Sequence, residues 1–311
     1  MQLLDGRLHQ IINFCNEHGD NKTAQHFGIN HETLGRYKRE HRIRNGSTEP
    51  QATISPRVLI LDVETAPIQC FVWSTWKQNI NSEQIIRDWS ILTWSVKWLN
   101  DNEVFYGAVT PDEAIKGQDK RIMKELWAFV EEADVIVAHN GINFDFKRMN
   151  TRFILNDIKP PLSYQVIDTL QLSKKKFAFT YNKLDFIASI LGFGEKLKTN
   201  FDLWKLVVRG EQDAIDEMVA YNKRDVTLLE EVYHVLGVWM PSHPNLGLNI
   251  EDNHTMCPFC TSEDLTWKGY YATLVGKYST ARCNHCGFIS RSRHNELSKG
   301  KRELLNVSIA R

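Results

Sequence analysis

Asp62 and Glu64 stand two positions apart in Leu61-Asp62-Val63-Glu64-Thr65, directly after the apolar run Val58-Leu59-Ile60-Leu61. Side chains alternate along a strand, so both carboxylates face one side. Held together at the end of a buried strand, they repel and raise each other's pKa unless a cation sits between them. An isolated pair of this kind is an ordinary acidic strand ending. Two other places carry groups able to act with it. Asp145 follows the turn His139-Asn140-Gly141-Ile142-Asn143-Phe144, which Asn140 and Asn143 can hold through side-chain to backbone hydrogen bonds. On its own, Asp145 is a first-turn carboxylate meeting a helix dipole. Tyr221 and Asp225, at i and i+4, present a phenol and a carboxylate on one helix face. Taken singly, they are a partly buried tyrosine and a solvated aspartate.

The elements that must position these groups are readable from periodicity. Arg57 to Leu61, Ile91 to Trp98, Val104 to Val109 and Val135 to Ala138 read as strands. Lys120 to Glu132, Phe144 to Asn156, Lys183 to Leu191 and Ala214 to Leu236 read as helices. In the last of these, Ile215, Val219, Val226, Leu229, Tyr233 and Leu236 form an apolar stripe, with Tyr221 and Asp225 beside it. Strands gathered early and helices alternating later predict an α/β domain with a mixed sheet.

Asp62-x-Glu64, Asn140-Gly141-Ile142-Asn143-Phe144-Asp145 and Tyr221-x-x-x-Asp225 together resemble the three motifs of the DEDD superfamily of exonucleases, of the subtype with Tyr in the third motif. The middle motif is especially similar to proofreading domains of family B DNA polymerases. The resemblance implies a ribonuclease H-like fold over about Pro56 to Leu236 and 3′ to 5′ removal of nucleotides with two divalent cations. Asp62 would bridge the metals, and Glu64, Asp145 and Asp225 would complete their oxygen shells, suited to Mg²⁺ or Mn²⁺. Two such ions about 3.5 to 4 Å apart stabilise both the attacking and the leaving oxygen of a phosphodiester. Tyr221 would orient the attacking water and help remove its proton. Lys183 resembles a lysine after the second motif that approaches the scissile phosphate; a surface lysine is the plain alternative. Asp168 and Asp185 match no motif. No polymerase palm follows Leu236, so stand-alone action or service to a separate replication or repair protein is expected. DNA is favoured over RNA as substrate. An RNA exonuclease is the alternative within enzymes, and a DNA-binding regulator or replication adaptor with incidental hydrolysis is the alternative from another class.

Cys257-Pro258-Phe259-Cys260 and Cys283-Asn284-His285-Cys286-Gly287, with 22 residues between them, resemble the knuckles of a zinc ribbon. Four thiolates give a closed tetrahedral shell for one structural Zn²⁺. Redox-active pairs are the other reading of Cys-x-x-Cys. Cys15 and Cys70 read as ordinary buried thiols. Leu265 to Tyr271 and Lys277 to Arg282 read as short strands, in a module too small to fold without its metal.

At the amino end, Asn21 to Leu34 has the small residue, glycine and apolar spacing of a helix-turn-helix: Ala24, Gly28, Ile29 and Leu34. Its second helix would offer His31, Thr33, Arg36 and Tyr37 to a major groove. A small helical bundle for protein contacts is the plainer alternative. The expected organisation is a helix-turn-helix domain at 1–45, a linker at 46–56, the ribonuclease H-like exonuclease domain at 57–240, a linker at 241–256, the zinc ribbon at 257–293 and a tail at 294–311.

The 38 Lys and Arg balance 38 Asp and Glu over 311 residues, but unevenly. Residues 1–50 carry a net +1, residues 51–256 a net −6, and residues 257–311 a net +5. An acidic middle that binds cations and a basic end suit a polyanionic partner. The absence of an apolar run of membrane length, and of a charged-then-apolar start, predicts a soluble protein of the cytoplasm or nucleoid with no membrane partner.

Overall fold

A computed structural model describes residues 11, 13–15, 20–27, 56–194, 197, 199–248, 250 and 254–307. The chain divides into two compact units, Met1–Ile54 and Ser55–Arg311. In the first, helix α1 (Asp20–Phe27) lays Phe27 against the buried Ile11 and Cys15, and Phe14 stacks on His26 at 4.4 Å between ring centres. His31, Thr33, Arg36 and Tyr37, with the rest of the anticipated recognition helix, lie outside the described residues.

The second unit is built on a five-stranded mixed sheet in the order β5-β4-β1-β6-β7. Its strands are β1 (Val58–Thr65), β4 (Ile91–Trp98), β5 (Val104–Ala108), β6 (Val135–Ala138) and β7 (Gln165–Asp168). β1 runs antiparallel to β4 and parallel to β6, so it is the central strand. A short hairpin, β2 (Gln69–Cys70) with β3 (Ile85–Arg87), leaves the sheet at the end of β1, and Cys70 there is only half-buried. Helices α2 (Pro111–Lys116), α3 (Lys120–Glu132), α4 (Asp145–Leu155), α5 (Thr169–Lys176), α6 (Leu184–Ile190), α7 (Phe201–Val207) and α8 (Gln212–Gly237) complete the domain. This is a ribonuclease H-like fold.

β1 explains where its acids point. Leu59, Leu61 and Val63 enter one core with Ile122, Met123, Leu126, Met149 and Phe153 of α3 and α4. Val58 and Ile60 enter a second with Ile187, Val226, Leu229 and Val232 of α6 and α8. Alternation assigns Asp62 and Glu64 to the side of Val58 and Ile60, facing α8. α8 spans both cores: Ala214, Ile215 and Met218 belong to the first, and Val226 to Leu236 to the second. Tyr221, Asn222 and Asp225 occupy the junction, all buried. The buried surface is wider than the apolar stripe in the sequence, because it includes Asn222 at 0% and Asp225 at 2% exposure.

β8 (Leu265–Ala272), β9 (Lys277–Cys283) and β10 (Ile289–Arg291) form an antiparallel sheet in the order β10-β9-β8, followed by α9 (Lys299–Glu303). This cysteine-bearing module shares the second core. Phe259 and Phe288 stack on each other, and Phe259 meets Tyr233 of α8 and His243. His243 and Leu246, in the polar stretch after α8, are 9% and 7% exposed. His243 Nδ1 donates to the Pro244 carbonyl at 2.6 Å, and its Nε2 faces the Tyr233 hydroxyl at 2.8 Å. Burial pushes this imidazole down to about 4, so it sits neutral in the aromatic cluster. Gly237 closes the seam: a Cβ there would stand 2.6 Å from Phe259 Cε2.

Candidate active site

Two elements bring three acidic side chains together. The end of β1 supplies Asp62 and Glu64, and the middle of α8 supplies Asp225; their ligand oxygens lie within 4.8 Å of one another. Asp62, Tyr221 and Asp225 line a cleft of about 1260 Å³, together with His139, Asn140 and Lys183. Trp204 of α7 packs edge-on against Tyr221, with ring centres 6.1 Å apart, and fixes the phenol at the cleft wall.

Asn222 Nδ2 donates to Asp62 Oδ2 at 2.5 Å. Because Asn222 is fully buried, it holds that carboxylate from the side of the core. Its own Oδ1 and the Oγ of Ser95, the cross-strand partner of Asp62, are buried without a hydrogen-bond partner among the described residues. Buried polar atoms are normally satisfied, and orphans of this kind mark sites that receive something else. The carboxylate oxygens are hard donors, converge on one point and are backed by these atoms; this fits Mg²⁺ or Mn²⁺.

Asp145 is held differently. It is 2% exposed and accepts from the Val63 N–H at 3.2 Å, and it is not among the three converging groups. Burial pushes its carboxyl up to about 7; the Val63 N–H opposes the rise, and the charge of Asp168 adds to it. The turn before it is organised by Asp168 at the end of β7. This carboxylate accepts from the N–H groups of Asn140 (3.1 Å), Ile142 (3.2 Å), Leu170 (3.0 Å) and Gln171 (3.1 Å), so it caps α5 and anchors the motif turn at once. Asn140 takes φ +72°, in the left-handed region that asparagine tolerates. Gly141 is required by space: a Cβ would come within 2.5 Å of the Ala138 Cβ and 2.8 Å of Phe146.

His139 links this turn to the segment bearing Lys183. Its Nε2 lies 2.9 Å from the Asn182 carbonyl, which can only accept, so that nitrogen carries a proton. Nδ1 meets the Thr169 hydroxyl at 2.8 Å. Lys183 is exposed at the cleft and precedes the first turn of α6.

Asn222, Asp168 and His139 were not singled out from the sequence. Asp168 had a local signal, an Asp-Thr pair opening an apolar helical pattern, which is an N-cap signature. Nothing local marked Asn222, whose partner is 160 residues away.

The four cysteine sulfurs lie within 4.8 Å of one another, with Cys257–Cys286 and Cys260–Cys283 both at 3.6 Å. Zn–S bonds of about 2.3 Å in a tetrahedron set sulfurs about 3.8 Å apart, so the cluster fits one zinc ion. The two knuckles are built alike. The N–H of Thr261 bonds the Cys257 carbonyl and that of Gly287 bonds the Cys283 carbonyl, each at 2.9 Å, and both residues have positive φ, 60° and 81°. Burial pushes the Cys260 thiol up to about 11. Cys283 is desolvated too, but the N–H groups of Cys286 and His285 draw it down to about 7.

Residues 86–237 match the family model RNase_H_2, of the RNase_H superfamily. That span contains Asp145, Lys183, Tyr221 and Asp225, while Asp62 and Glu64 precede it. The matched span lies within the central domain and agrees with its ribonuclease H-like fold. Among solved structures, the family B DNA polymerase from the hyperthermophilic archaeon Pyrobaculum calidifontis is similar, at 16% identity and a TM-score of 0.43, over 62% of this chain and 27% of the polymerase. The chain thus corresponds to about a quarter of that polymerase's length. The curated proteins gave no match. No helix among the described residues is long and apolar enough to cross a membrane.

Proposed function

We propose that this protein is a metal-dependent 3′ to 5′ exonuclease acting on DNA. The observation that carries the reading is the convergence of Asp62, Glu64 and Asp225 within 4.8 Å, at a cleft whose wall includes Tyr221. Asp62, Glu64 and Asp225 would hold Mg²⁺ or Mn²⁺, with Asp145 joining them from the adjacent motif. When bound, two such cations supply a hydroxide at neutral pH and offset charge on the attacking and leaving oxygens. Asn222 keeps Asp62 in one rotamer. Tyr221 orients the attacking water at its hydroxyl and assists loss of its proton. Lys183 offers a cation to the phosphate of a strand lying in the cleft. The similarity of Asn140 to Asp145 to DNA-proofreading motifs, and the helix-turn-helix pattern of residues 21–34, favour DNA over RNA.

The test uses the purified full-length chain on 5′-labelled single-stranded DNA, duplex DNA and RNA, with Mg²⁺ or Mn²⁺ and with free or blocked 3′ ends. The expected products shorten one nucleotide at a time from a free 3′ end. Asp62→Ala and Asp225→Ala should abolish them, and Tyr221→Phe should slow them by about 10²-fold or more. Unchanged activity in both aspartate variants refutes the assignment, and faster loss of RNA than DNA overturns the choice of substrate.

A further inference from the structure

The β8-β9-β10 sheet has two unlike faces. Ala281 and Cys283 of β9 point inward, each 1% exposed. Their alternates Tyr278, Thr280 and Arg282 point outward. Register sets Tyr271 beside Tyr278, Arg291 beside Thr280, and Ile289 beside Arg282 on that same face. Tyr271 is 51% and Ile289 56% exposed, and both arginines are exposed. The Arg291 guanidinium lies 4.3 Å from the Tyr278 ring centre and 5.6 Å from that of Tyr271. Among the described residues, Arg282, Arg291 and Arg293 form no ion pair.

We propose that this outward face, centred on Tyr271, Tyr278, Arg282 and Arg291, is a second binding surface for single-stranded nucleic acid, separate from the cleft. The exposed Tyr271 ring, beside the half-buried Tyr278, gives bases a stacking platform, and the neighbouring arginines, which have no carboxylate partner among the described residues, give phosphates a partner. The net +5 of residues 257–311 supplies the long-range attraction. An added protein strand is the other ligand an exposed edge such as β8 accepts. The register break between Trp267 and Tyr270, with Gly269 at φ +83°, interrupts the edge ladder and disfavours it. The ribbon is seated on α8 through Gly237, on the order of 18 Å along the helix from Asp225. A strand long enough to span that distance gains from both sites at once.

The experiment measures fluorescence anisotropy of full-length Asp62→Ala protein, without added Mg²⁺, on length series of oligothymidylate and oligouridylate at several salt concentrations. Binding does not require hydrolysis, so the result stands whether or not the wild-type protein proves to be a nuclease. Tyr271→Ala should weaken binding of the longer strands about tenfold. Arg282→Ala with Arg291→Ala should weaken it by a similar factor and lower the salt slope by about two. Zinc content, read as bound metal per chain, verifies that each variant keeps its ribbon, and Arg291→Glu provides a second variant should one lose it. Loss with both polymers supports a surface for either nucleic acid, and loss with one alone supports that polymer. The proposal is overturned if Tyr271→Ala and Arg291→Glu bind as the parent does. It is equally overturned if Lys301→Ala with Arg302→Ala, on α9, costs as much, since bulk charge then suffices. Absence of binding to either polymer overturns it as well.

Discussion

Lys97 of β4 and Glu230 of α8 form an ion pair in which the side chains are only 9% and 12% exposed, and Glu230 also accepts from the Asn100 N–H at 2.8 Å. The pair lies about a turn and a half beyond Asp225, and it ties the helix carrying Asp225 to the strand beside β1. Lys97→Met leaves a buried carboxylate with one backbone donor. Breaking one partner of such a pair costs about 3 to 5 kcal/mol, and the remaining N–H argues for the lower figure. Against a total stability of about 5 to 15 kcal/mol, that is a large loss. Glu230→Leu alone strands the ammonium and should cost about as much. The double replacement Lys97→Met with Glu230→Leu removes both charges and fills the same volume, so it should return to within about 1 kcal/mol of the parent or exceed it. Urea unfolding followed by circular dichroism gives the three differences, and the cycle should show a coupling of several kcal/mol. The proposed nuclease activity should persist in the double variant below the unfolding transition, because apolar packing still holds α8 on β4. Single variants that each cost under about 1 kcal/mol, and simply add, would falsify the reasoning; the pair would then be screened by water like a surface bridge.

Two further outcomes are expected. Stripping zinc with a chelator, or Cys257→Ser, should uncover Phe259 and Phe288 and loosen the last turns of α8 at Tyr233 to Gly237, which share their cluster; hydrogen exchange should rise there and through the ribbon while β1, β4 and β6 stay protected, and an unchanged ribbon would exclude a structural metal. Gly141→Ala should cost about 1 to 3 kcal/mol by overpacking against Ala138 and Phe146, and it should lower activity more than stability because the displaced turn leads into Asp145; an equal loss of both would leave the turn a purely structural role.

The parts of this molecule that announce themselves locally are legible in the sequence alone. β1, β4, β6 and α3 are long or strongly apolar, and their periodicity is unambiguous. The grouping of the four cysteines is legible because Cys-x-x-Cys spacing brings two sulfurs together within one turn, and the two pairs do converge. β7 and α7 were not read, since four and seven residues carry too little pattern, yet α7 delivers Trp204 to Tyr221 and β7 delivers Asp168 to the motif turn. The motif residues were visible as types at spacings, but their arrangement was not. That Asp145 is turned to the Val63 N–H while Asp62, Glu64 and Asp225 converge depends on where β1, α4 and α8 cross. The sharing of one core between the ribbon and α8 was equally hidden, because Pro241 to Met256 reads as a polar connector until His243 and Leu246 are found packed inside.

The single helix that carries Asp225 at its middle and the ribbon's seat at Gly237 makes the spacing between cleft and ribbon a matter of helical phase. One residue inserted between those positions would swing the ribbon by about 100° around the axis, and seven would advance it about 10 Å while returning it nearly to its original heading. Length changes here are therefore not graded: most destroy the alignment of the two surfaces, and two-turn steps preserve it. The helix works as a keyed shaft, and the distance between cleft and ribbon can be reset only in steps that return the helix close to its original phase.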